Sequence, residues 1–308
     1  MNNNPKILIV GAGAIGAFYG SKLSQSGAEV SVICRSDYDY VKNHGFTIKS
    51  HWEQPEYKFL PNQVLRDFQS YKDDADFIII ATKVLDPNLT TDLLKTNLRK
   101  KSAIVLLQNG IHIEKKVADS FPENEIISAL AFICVSRVKP GYIHHQDYGR
   151  LVIGNYPNSI STKTELLANL WQKSQVPCET SNSILKQRWK KLVWNAAFNP
   201  ISVLSGSKNT EEILKNSATE DLVRNVMHEV CTLAKADDCK LEEEIVEKNI
   251  ADTKEMKPYK TSMLLDFEAK REMEIEAILG NAIRFAKQKN ISIPHLSSLY
   301  GLLCCYKN

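Results

Sequence analysis

The sequence predicts a doubly wound α/β domain with a mostly parallel, Rossmann-type sheet, followed by an all-helical domain. Up to about residue 181, short apolar runs alternate with helical stretches, a pattern typical of parallel sheets with crossover helices. A glycine-rich turn follows the first apolar run, and strand patterns nearly vanish after residue 183. We therefore expect two domains, residues 1–181 and residues 182–308.

The first domain is expected to contain five strands with pronounced apolar patterns and three with weaker ones. The five are Lys6–Val10, Glu29–Cys34, Phe77–Ala81, Ala103–Leu107 and Ile126–Cys134. The three weaker ones are Tyr142–His145, Arg150–Ile153 and Val176–Thr180. In the second domain, helical periodicity predicts helices broken near Pro200, Asp237–Cys239 and Pro258.

Composition narrows the function classes. The chain has 308 residues, with 39 basic and 36 acidic side chains and a formal charge of +3. Because neither sign forms a long tract, we expect no nucleic-acid or membrane-surface partner. No apolar run approaches the roughly 20 residues of a membrane span, and the N-terminus lacks a signal-peptide pattern, so a cytoplasmic protein is expected.

Cysteine and histidine patterns argue against disulfides and metals. The seven cysteines form no Cys-x-x-Cys pair and their number is odd, so we interpret them as reduced, mostly packing residues. His144 and His145 fall on a predicted strand, where their side chains would point to opposite faces. No metal site is therefore expected.

The cofactor motif is the turn Gly11-Ala12-Gly13-Ala14-Ile15-Gly16, which follows the first strand and opens a helix reaching about Ser26. Gly11 permits the tight turn, Gly13 lets a pyrophosphate approach the backbone, and Gly16 lets helix and strand pack closely. The helix N-terminus supplies amide donors. The alternative is a glycine-rich turn that binds no ligand.

Four further residues fit a dinucleotide. Arg35 and Ser36 stand where NAD-binding sites usually carry an acidic residue, which favours the 2′-phosphate of NADP(H). The alternative is a solvated Arg35 paired with Asp37. Lys83 follows a predicted strand and could add a second cation, and Asn109 follows the next strand, where an amide could bridge nicotinamide and substrate. The alternative for Asn109 is an Asn-Gly turn.

In the second domain, Lys191, Asn195 and Asn199 recur every four residues. Each therefore lies only about 40° further around a helix, so the three form one polar stripe. Beside a nicotinamide, a lysine could protonate a nascent alkoxide while two amides hold an oxygen-rich substrate, which is the set that carbonyl reduction needs. Alternatively the stripe is hydrogen-bonded to a neighbouring loop, with Asn199 before Pro200 marking a helix end or kink.

These motifs, in this order and spacing, resemble the ketopantoate reductase (2-dehydropantoate 2-reductase) family over nearly the whole chain. The resemblance implies that Lys191 is the proton donor, that Asn195 and Asn199 bind substrate, and that Asn109 touches both nicotinamide and substrate. It also implies substrate contacts for Asn209 and Ser262. Glu274 would then lie beside the cofactor and help to set the charge of Lys191.

Some positions depart from the family pattern. Glu272 competes with Glu274 for the role of the active-site acid, Glu276 replaces an aspartate, Leu279 replaces a common asparagine, and Tyr259 replaces an asparagine near the substrate serine.

The resemblance implies NADPH-dependent reduction of 2-dehydropantoate to (R)-pantoate in pantothenate biosynthesis. Two alternatives stay open. One is a D-2-hydroxyacid dehydrogenase acting on another branched 2-oxo acid, and the other is a non-catalytic NADP-binding sensor. The expected partner is a small 2-oxo acid, and a homodimer is left open.

Overall fold

The computed structural model describes residues 4–52, 56–86 and 88–306. Within them the chain forms two compact units. Unit 1 contains the described residues of 4–83, 88–108 and 114–184, and unit 2 contains 84–86, 109–113 and 185–306. Two short loops from the N-terminal half thus belong to unit 2, which the predicted division at residue 181 does not anticipate.

Unit 1 is built on one mostly parallel sheet, which confirms the predicted Rossmann-type class. Among the described residues the strand order is β4-β3-β9-β8-β7-β6-β1-β2-β5, and β10 pairs with β9. The strands are β1 (Lys6–Val10), β2 (Glu29–Ile33), β3 (Phe46–Ser50), β4 (Tyr57–Phe59), β5 (Val64–Leu65), β6 (Phe77–Ile80), β7 (Ala103–Leu106), β8 (Ile126–Lys139), β9 (Tyr142–Asn155) and β10 (Cys178–Thr180).

The central strands are almost continuously apolar because helices cover a parallel sheet on both faces. Every residue of β6 and β7 is buried, and so are four of the five residues of β1. The helices of unit 1 are α1 (Ala14–Gln25), α2 (Tyr38–His44), α3 (Leu89–Lys95), α4 (Glu114–Ser120) and α5 (Thr162–Lys173). This arrangement places the turn after β1 at the start of α1.

The sheet differs from the prediction at its edges. Strands β3, β4 and β5 are not predicted, because they are short and mix polar with apolar residues. The two strands predicted between residues 142 and 153 are one long strand, β9, which pairs antiparallel with β8. Register shifts in that pairing, including one between Cys134 and Val135, disturb the alternation on which the prediction relies.

Unit 2 contains helices and no strand among its described residues, which confirms the helical class. They are α6 (Ile184–Leu204, starting at the last residue of unit 1), α7 (Thr210–Leu214), α8 (Ser217–Ala236), α9 (Ile245–Glu255), α10 (Ser262–Glu268), a π-helical segment (Glu276–Gly280), α11 (Asn281–Lys289) and α12 (Pro294–Cys304). No helix in the described ranges is both long and apolar enough to cross a membrane.

The predicted helix break at Pro200 is wrong, because α6 continues through this residue to Leu204. Proline lacks an N–H and therefore cannot bond to the carbonyl of Ala196. Phe198, two residues before Pro200, and Ile201, directly after it, are buried in the core of unit 2. Their packing offsets the lost hydrogen bond. The other two breaks fall where predicted, after Ala236 and after Glu255.

Candidate active site

The glycine turn of unit 1 leaves open space at the start of α1. Gly11 has a φ of +91°, and the N–H groups of Gly11 and Ala12 bond to the carbonyl of Ile33 at 3.1 and 3.0 Å. A Cβ on Gly16 would collide with the Gly11 carbonyl oxygen, whereas a Cβ on Gly13 would meet nothing within 4 Å. The first-turn amides of α1 therefore face a space that a pyrophosphate fits.

The basic position after β2 is accessible. Arg35 is exposed, and its side chain has no partner in the part of the chain that the structure describes. The alternative pairing with Asp37 does not occur, because the buried Asp37 carboxylate binds Arg137 at 2.6 Å and accepts the Gly141 N–H at 3.0 Å. The Ser36 hydroxyl donates to Asp37 at 2.9 Å. Arg35 is thus available to a phosphate.

Lys83 and Gln108 lie after neighbouring strands of unit 1. Lys83 is half-buried, three residues beyond the end of β6. Gln108 is buried and its side-chain amide donates to the Thr82 carbonyl at 2.8 Å. This bond joins the loops at the carboxyl ends of β6 and β7, where ligands bind in doubly wound sheets.

The predicted stripe on α6 consists of a lysine that is hydrogen-bonded to Asn109 and of two asparagines whose amides have no partner among the described residues. Lys191 Nζ donates to Asn109 Oδ1 at 2.8 Å. Asn195 is half-buried. Asn199 is only 2% exposed, yet its side-chain amide also lacks a partner in the described ranges. The alternative was that the stripe is hydrogen-bonded to a neighbouring loop. Lys191 does bond to a loop residue, Asn109, whereas the side chains of Asn195 and Asn199 form no such bond within the described residues.

Loop 109–113, which carries Asn109, is fixed by backbone contacts within unit 2. Arg188 Nη1 donates to the Gly110 carbonyl at 3.0 Å. The Ile111 N–H donates to the Ala277 carbonyl at 3.1 Å, and Asn281 Nδ2 donates to the Ile111 carbonyl at 2.7 Å. Asn109 is thus presented to Lys191 by a loop held on both sides.

The π-helical segment explains why Ala277 can accept from the loop. In an α-helix the Asn281 N–H would bond to the Ala277 carbonyl, four residues back. Here it bonds to Glu276, five residues back, so the Ala277 carbonyl is free to bind Ile111. Single-turn π-segments frequently mark functional sites, and this one holds the loop that presents Asn109.

A second anchor joins the same loop to α8. His112 Nε2 lies 2.8 Å from Asp237 Oδ2, and the Trp189 indole N–H donates to the same oxygen at 2.7 Å. Burial alone would raise the pKa of Asp237, but the hydrogen bonds from His112 and Trp189 outweigh it and lower this pKa. The anchor is therefore an ionised carboxylate at neutral pH.

Hydrogen bonds link Asn199 to the start of α10. The Ser202 hydroxyl donates to the Asn199 carbonyl at 2.8 Å and lies 2.7 Å from the Thr261 hydroxyl. Thr261 caps α10 by accepting the Leu264 N–H at 3.1 Å, and Ser262 follows it as an exposed first helical residue. The start of α10, with Ser262, is thereby joined to α6 at Ser202, three residues after Asn199.

Asn209 has a local structural role. Its side-chain oxygen accepts the Glu212 N–H at 3.0 Å, and Glu212 accepts the Asn209 N–H at 3.0 Å, a capping box for α7. The next residue, Thr210, exchanges two hydrogen bonds with the backbone of Tyr259. The side-chain oxygen of Asn209 is thus engaged by Glu212, while the N–H donors of its amide have no partner among the described residues.

The two acids left open by the sequence differ in their surroundings. Glu274 is half-buried, and its Oε1 accepts the Val84 N–H at 3.0 Å, which holds loop 84–86 within unit 2. Glu272 is exposed. Glu274 lies two residues before the start of the π-helical segment.

Several residues of these networks were missed by the sequence analysis, among them Arg137, Arg188, Asp237 and Asn281. Arg188 precedes the Trp189-Lys190-Lys191 segment and is 1% exposed. A basic residue on an otherwise apolar helix face could have indicated that Arg188 is buried and hydrogen-bonded. The others act across long stretches of chain and carry no local pattern. Among the described residues, no cluster of three metal-binding side chains occurs.

Comparison with known proteins identifies relatives over the full chain. The family models "Ketopantoate reductase PanE/ApbA" and "Ketopantoate reductase PanE/ApbA C terminal" match residues 7–158 and 183–306. A 2-dehydropantoate 2-reductase from Nostoc sp. is 32% identical over 98% of this chain and 95% of its own.

Solved structures agree with this match. The crystal structure of 2-dehydropantoate 2-reductase from Methylococcus capsulatus is 45% identical, has a TM-score of 0.91, and is aligned over 97% of this chain and 96% of that one. A ternary structure of D-mandelate dehydrogenase, 24% identical with a TM-score of 0.88 over 98% and 97% of the two chains, shares the fold.

Proposed function

Because the chain belongs to the ketopantoate reductase family, we propose that it reduces 2-dehydropantoate to (R)-pantoate with NADPH, a step of pantothenate biosynthesis. Membership confirms the resemblance expected from the glycine turn and the α6 stripe, and it makes the protein an oxidoreductase. One observation carries the proposal: Asn199 is 2% exposed, and within the described ranges its amide lacks a partner, on the same helical stripe as Lys191. An amide that the described protein residues leave without a partner on this stripe is available to the oxygen atoms of a polar ligand.

The residues of unit 1 bind the cofactor. The first-turn amides of α1 receive the pyrophosphate across Gly13, where the lack of a side chain leaves space. The exposed Arg35 receives the 2′-phosphate, and Lys83 adds a cation at the neighbouring strand end. NADPH, when bound, supplies a hydride to the carbonyl carbon of the substrate.

Lys191 is the proton donor. Its ammonium group donates to the neutral oxygen of Asn109, which orients Nζ without taking its proton. As C2 of the oxo acid gains hydride, Lys191 gives a proton to the carbonyl oxygen, so the C=O bond becomes CH–OH and no alkoxide accumulates. Asn109 then serves to hold the lysine and to contact nicotinamide and substrate.

The remaining polar groups of unit 2 bind the substrate. Asn195 and Asn199 donate to its oxygens, and the exposed Ser262 hydroxyl, at the start of α10, donates to its carboxylate. Asn209 contributes through its free N–H donors. Glu274, as the half-buried acid next to the π-helical segment, lies beside the cofactor and helps to set the charge of Lys191.

A second candidate is a D-2-hydroxyacid dehydrogenase for another branched 2-oxo acid. The observation that favours it is Tyr259, whose backbone is tied to Thr210 beside Asn209. An aromatic ring at the position of a family asparagine changes the shape and polarity of the surroundings of Ser262. A non-catalytic sensor is disfavoured because cofactor binding alone would not need Lys191, Asn195, Asn199 and Ser262 together.

The test is NADPH oxidation followed by absorbance, with 2-dehydropantoate and a panel of 2-oxo acids, repeated with NADH. We expect kcat/KM to be highest for 2-dehydropantoate and to fall strongly with NADH. A higher kcat/KM for another 2-oxo acid would replace the first candidate by the second. Absence of turnover with every substrate, in protein that binds NADPH, would overturn both.

A further inference from the structure

We propose that Arg137 is a second guanidinium of the subsite for the 2′-phosphate, held there by Asp37, and that it contributes to the preference for NADP(H) over NAD(H). The inference deepens the proposed function and rests on the cofactor being NADP(H). The sequence assigned this subsite to Arg35 and Ser36, because those residues directly follow β2. Arg137 lies about a hundred residues later, near the end of β8.

The geometry brings Arg137 to the residues that follow β2. Its Nη1 donates to the Ser36 hydroxyl oxygen at 2.6 Å and to Asp37 Oδ1 at 2.6 Å. The Asp37 side chain is 4% exposed, whereas that of Arg137 is 37% exposed. The carboxylate therefore anchors the guanidinium from the inside while its outer edge stays accessible to a ligand.

Counting donors shows which groups remain for a phosphate. The single hydroxyl hydrogen of Ser36 is donated to Asp37, so in this arrangement Ser36 has none to offer. A guanidinium has five N–H donors, and both hydrogens of the Arg137 Nη1 are engaged. Its Nε and Nη2 have no partner within the described residues, which leaves three donors in a planar fork that suits a phosphate.

Arg137 also removes an electrostatic obstacle. Asp37 is the acidic residue next to Ser36, and a free carboxylate there would repel a phosphate. Instead its two oxygens accept from Ser36, Arg137 and the Gly141 N–H. The buried acid is thus compensated by the guanidinium, and Asp37 acts as a positioning residue for it.

The 2′-phosphate can be isolated with two nucleotides that differ only by this group, adenosine 2′,5′-bisphosphate and adenosine 5′-monophosphate. Binding of each to the full chain is measured by titration calorimetry for the wild type and for Arg137→Gln, Arg35→Gln and Arg66→Gln. Arg66 is the matched control, because it is an exposed arginine paired with Asp39 and stacked on Tyr38 in the same region.

We expect Arg137→Gln to weaken binding of the bisphosphate about tenfold, in line with the loss of charged hydrogen bonds, and to leave the monophosphate within twofold. Arg66→Gln should change neither ligand by more than twofold. Since removal of Arg137 leaves Asp37 buried and uncompensated, the double variant Asp37→Asn/Arg137→Gln is measured as well, with thermal melting as the check on folding. It should show the same tenfold loss.

The outcomes separate this inference from the proposed function. If both Arg137 variants keep the wild-type ratio of the two affinities while Arg35→Gln lowers it, Arg137 is only structural and the NADP(H) proposal stands. If the wild type itself binds both nucleotides equally, the NADP(H) proposal fails and the role of Arg137 fails with it.

Discussion

Unit 1 offers its candidate pyrophosphate site through the backbone of six consecutive residues, whereas unit 2 assembles its polar site from side chains of distant segments. The turn from Gly11 to Gly16 needs only β1 before it and α1 after it. Lys191, by contrast, depends on loop 109–113, and that loop depends on Arg188, the π-helical segment and Asn281. A site made of backbone is specified locally, and a site made of side chains is specified by the tertiary structure.

The largest expected effect tests the side-chain site. Replacing Lys191 by alanine should lower kcat by roughly 10²- to 10⁴-fold, because the proton donor is lost, with adenosine 2′,5′-bisphosphate affinity unchanged. The matched control is Lys190→Ala. This neighbour is paired with Glu242 at 2.8 Å and lowers the pKa of that acid to about 2, away from the stripe. Equal kcat values for the two variants would remove Lys191 from its proposed role.

A pH experiment compares the histidines of the two units. His145 in unit 1 is fully buried, 2.9 Å from the Ser50 hydroxyl, and burial lowers its pKa to about 4 against an opposing hydrogen bond to Tyr148. His112 in unit 2 instead contacts the carboxylate of Asp237. In the unfolded chain the His145 imidazole becomes protonated below about pH 6.5, whereas in the folded protein it stays neutral until about pH 4. The unfolded chain therefore binds one more proton between these values, and the stability of unit 1 falls as the pH is lowered from 6.5 to 4.

We therefore expect acidification from pH 6.5 to 4 to cost unit 1 about 3 kcal/mol through His145. The measurement is urea unfolding across this range, with hydrogen exchange of β3 and β9 reporting on unit 1. His145→Gln should flatten the dependence, and His228→Gln, an exposed histidine of α8, should leave it as in the wild type. The same slope in all three proteins would show that His145 is not the titrating group.

A smaller effect is expected at the support of loop 109–113. Asn281→Ala leaves the carbonyl of the fully buried Ile111 without its side-chain donor, a loss of about 1–2 kcal/mol. If part of this loss loosens Asn109, kcat should fall several-fold while nucleotide affinity stays constant. Asn225→Ala, on the exposed side of α8, is the control. A kcat equal to that of the control would mean that the loop keeps its position without Asn281.

The smallest effect sharpens the backbone side of the comparison. At Gly13 an added methyl group meets no protein atom within 4 Å, so Gly13→Ala should leave the melting temperature unchanged. It should raise the Kd of NADP⁺ about threefold, because the methyl group occupies space that the pyrophosphate needs. Gly301→Ala, in the equally open surroundings of α12, is the control. Unchanged NADP⁺ affinity would show that the pyrophosphate does not approach Gly13.

The features that the sequence predicts correctly are those determined by residues close together along the chain. Strand β1, the start of α1 and the stripe on α6 follow from apolar runs, glycine spacing and helical periodicity. The continuation of α6 past Pro200 could not be predicted, because burial of its neighbours outweighs the local cost of proline.

Other features depend on partners far along the chain. Asp37 pairs with Arg137, a residue one hundred positions later in the chain, and the local sequence around either residue does not indicate this contact. The π-helical segment adds one residue to a helical turn without changing the apolar pattern, so the bond between the Ala277 carbonyl and Ile111 is visible only in the structure. Long-range contacts of this kind complete both sites.

The sheet of unit 1 also sets an order of events during synthesis of the chain. Strand β3 (Phe46–Ser50) pairs with β9 (Tyr142–Asn155), which in turn pairs with β10 (Cys178–Thr180). The strands β1, β2, β6 and β7 can associate as soon as residue 106 has left the ribosome, and β3 can already pair with β4. The other edge of β3 must wait for β9, which begins at Tyr142. Pairings of such separation are slow to form. Until β9 arrives, one edge of β3 stays unpaired, and an unpaired edge of this kind can associate with other chains.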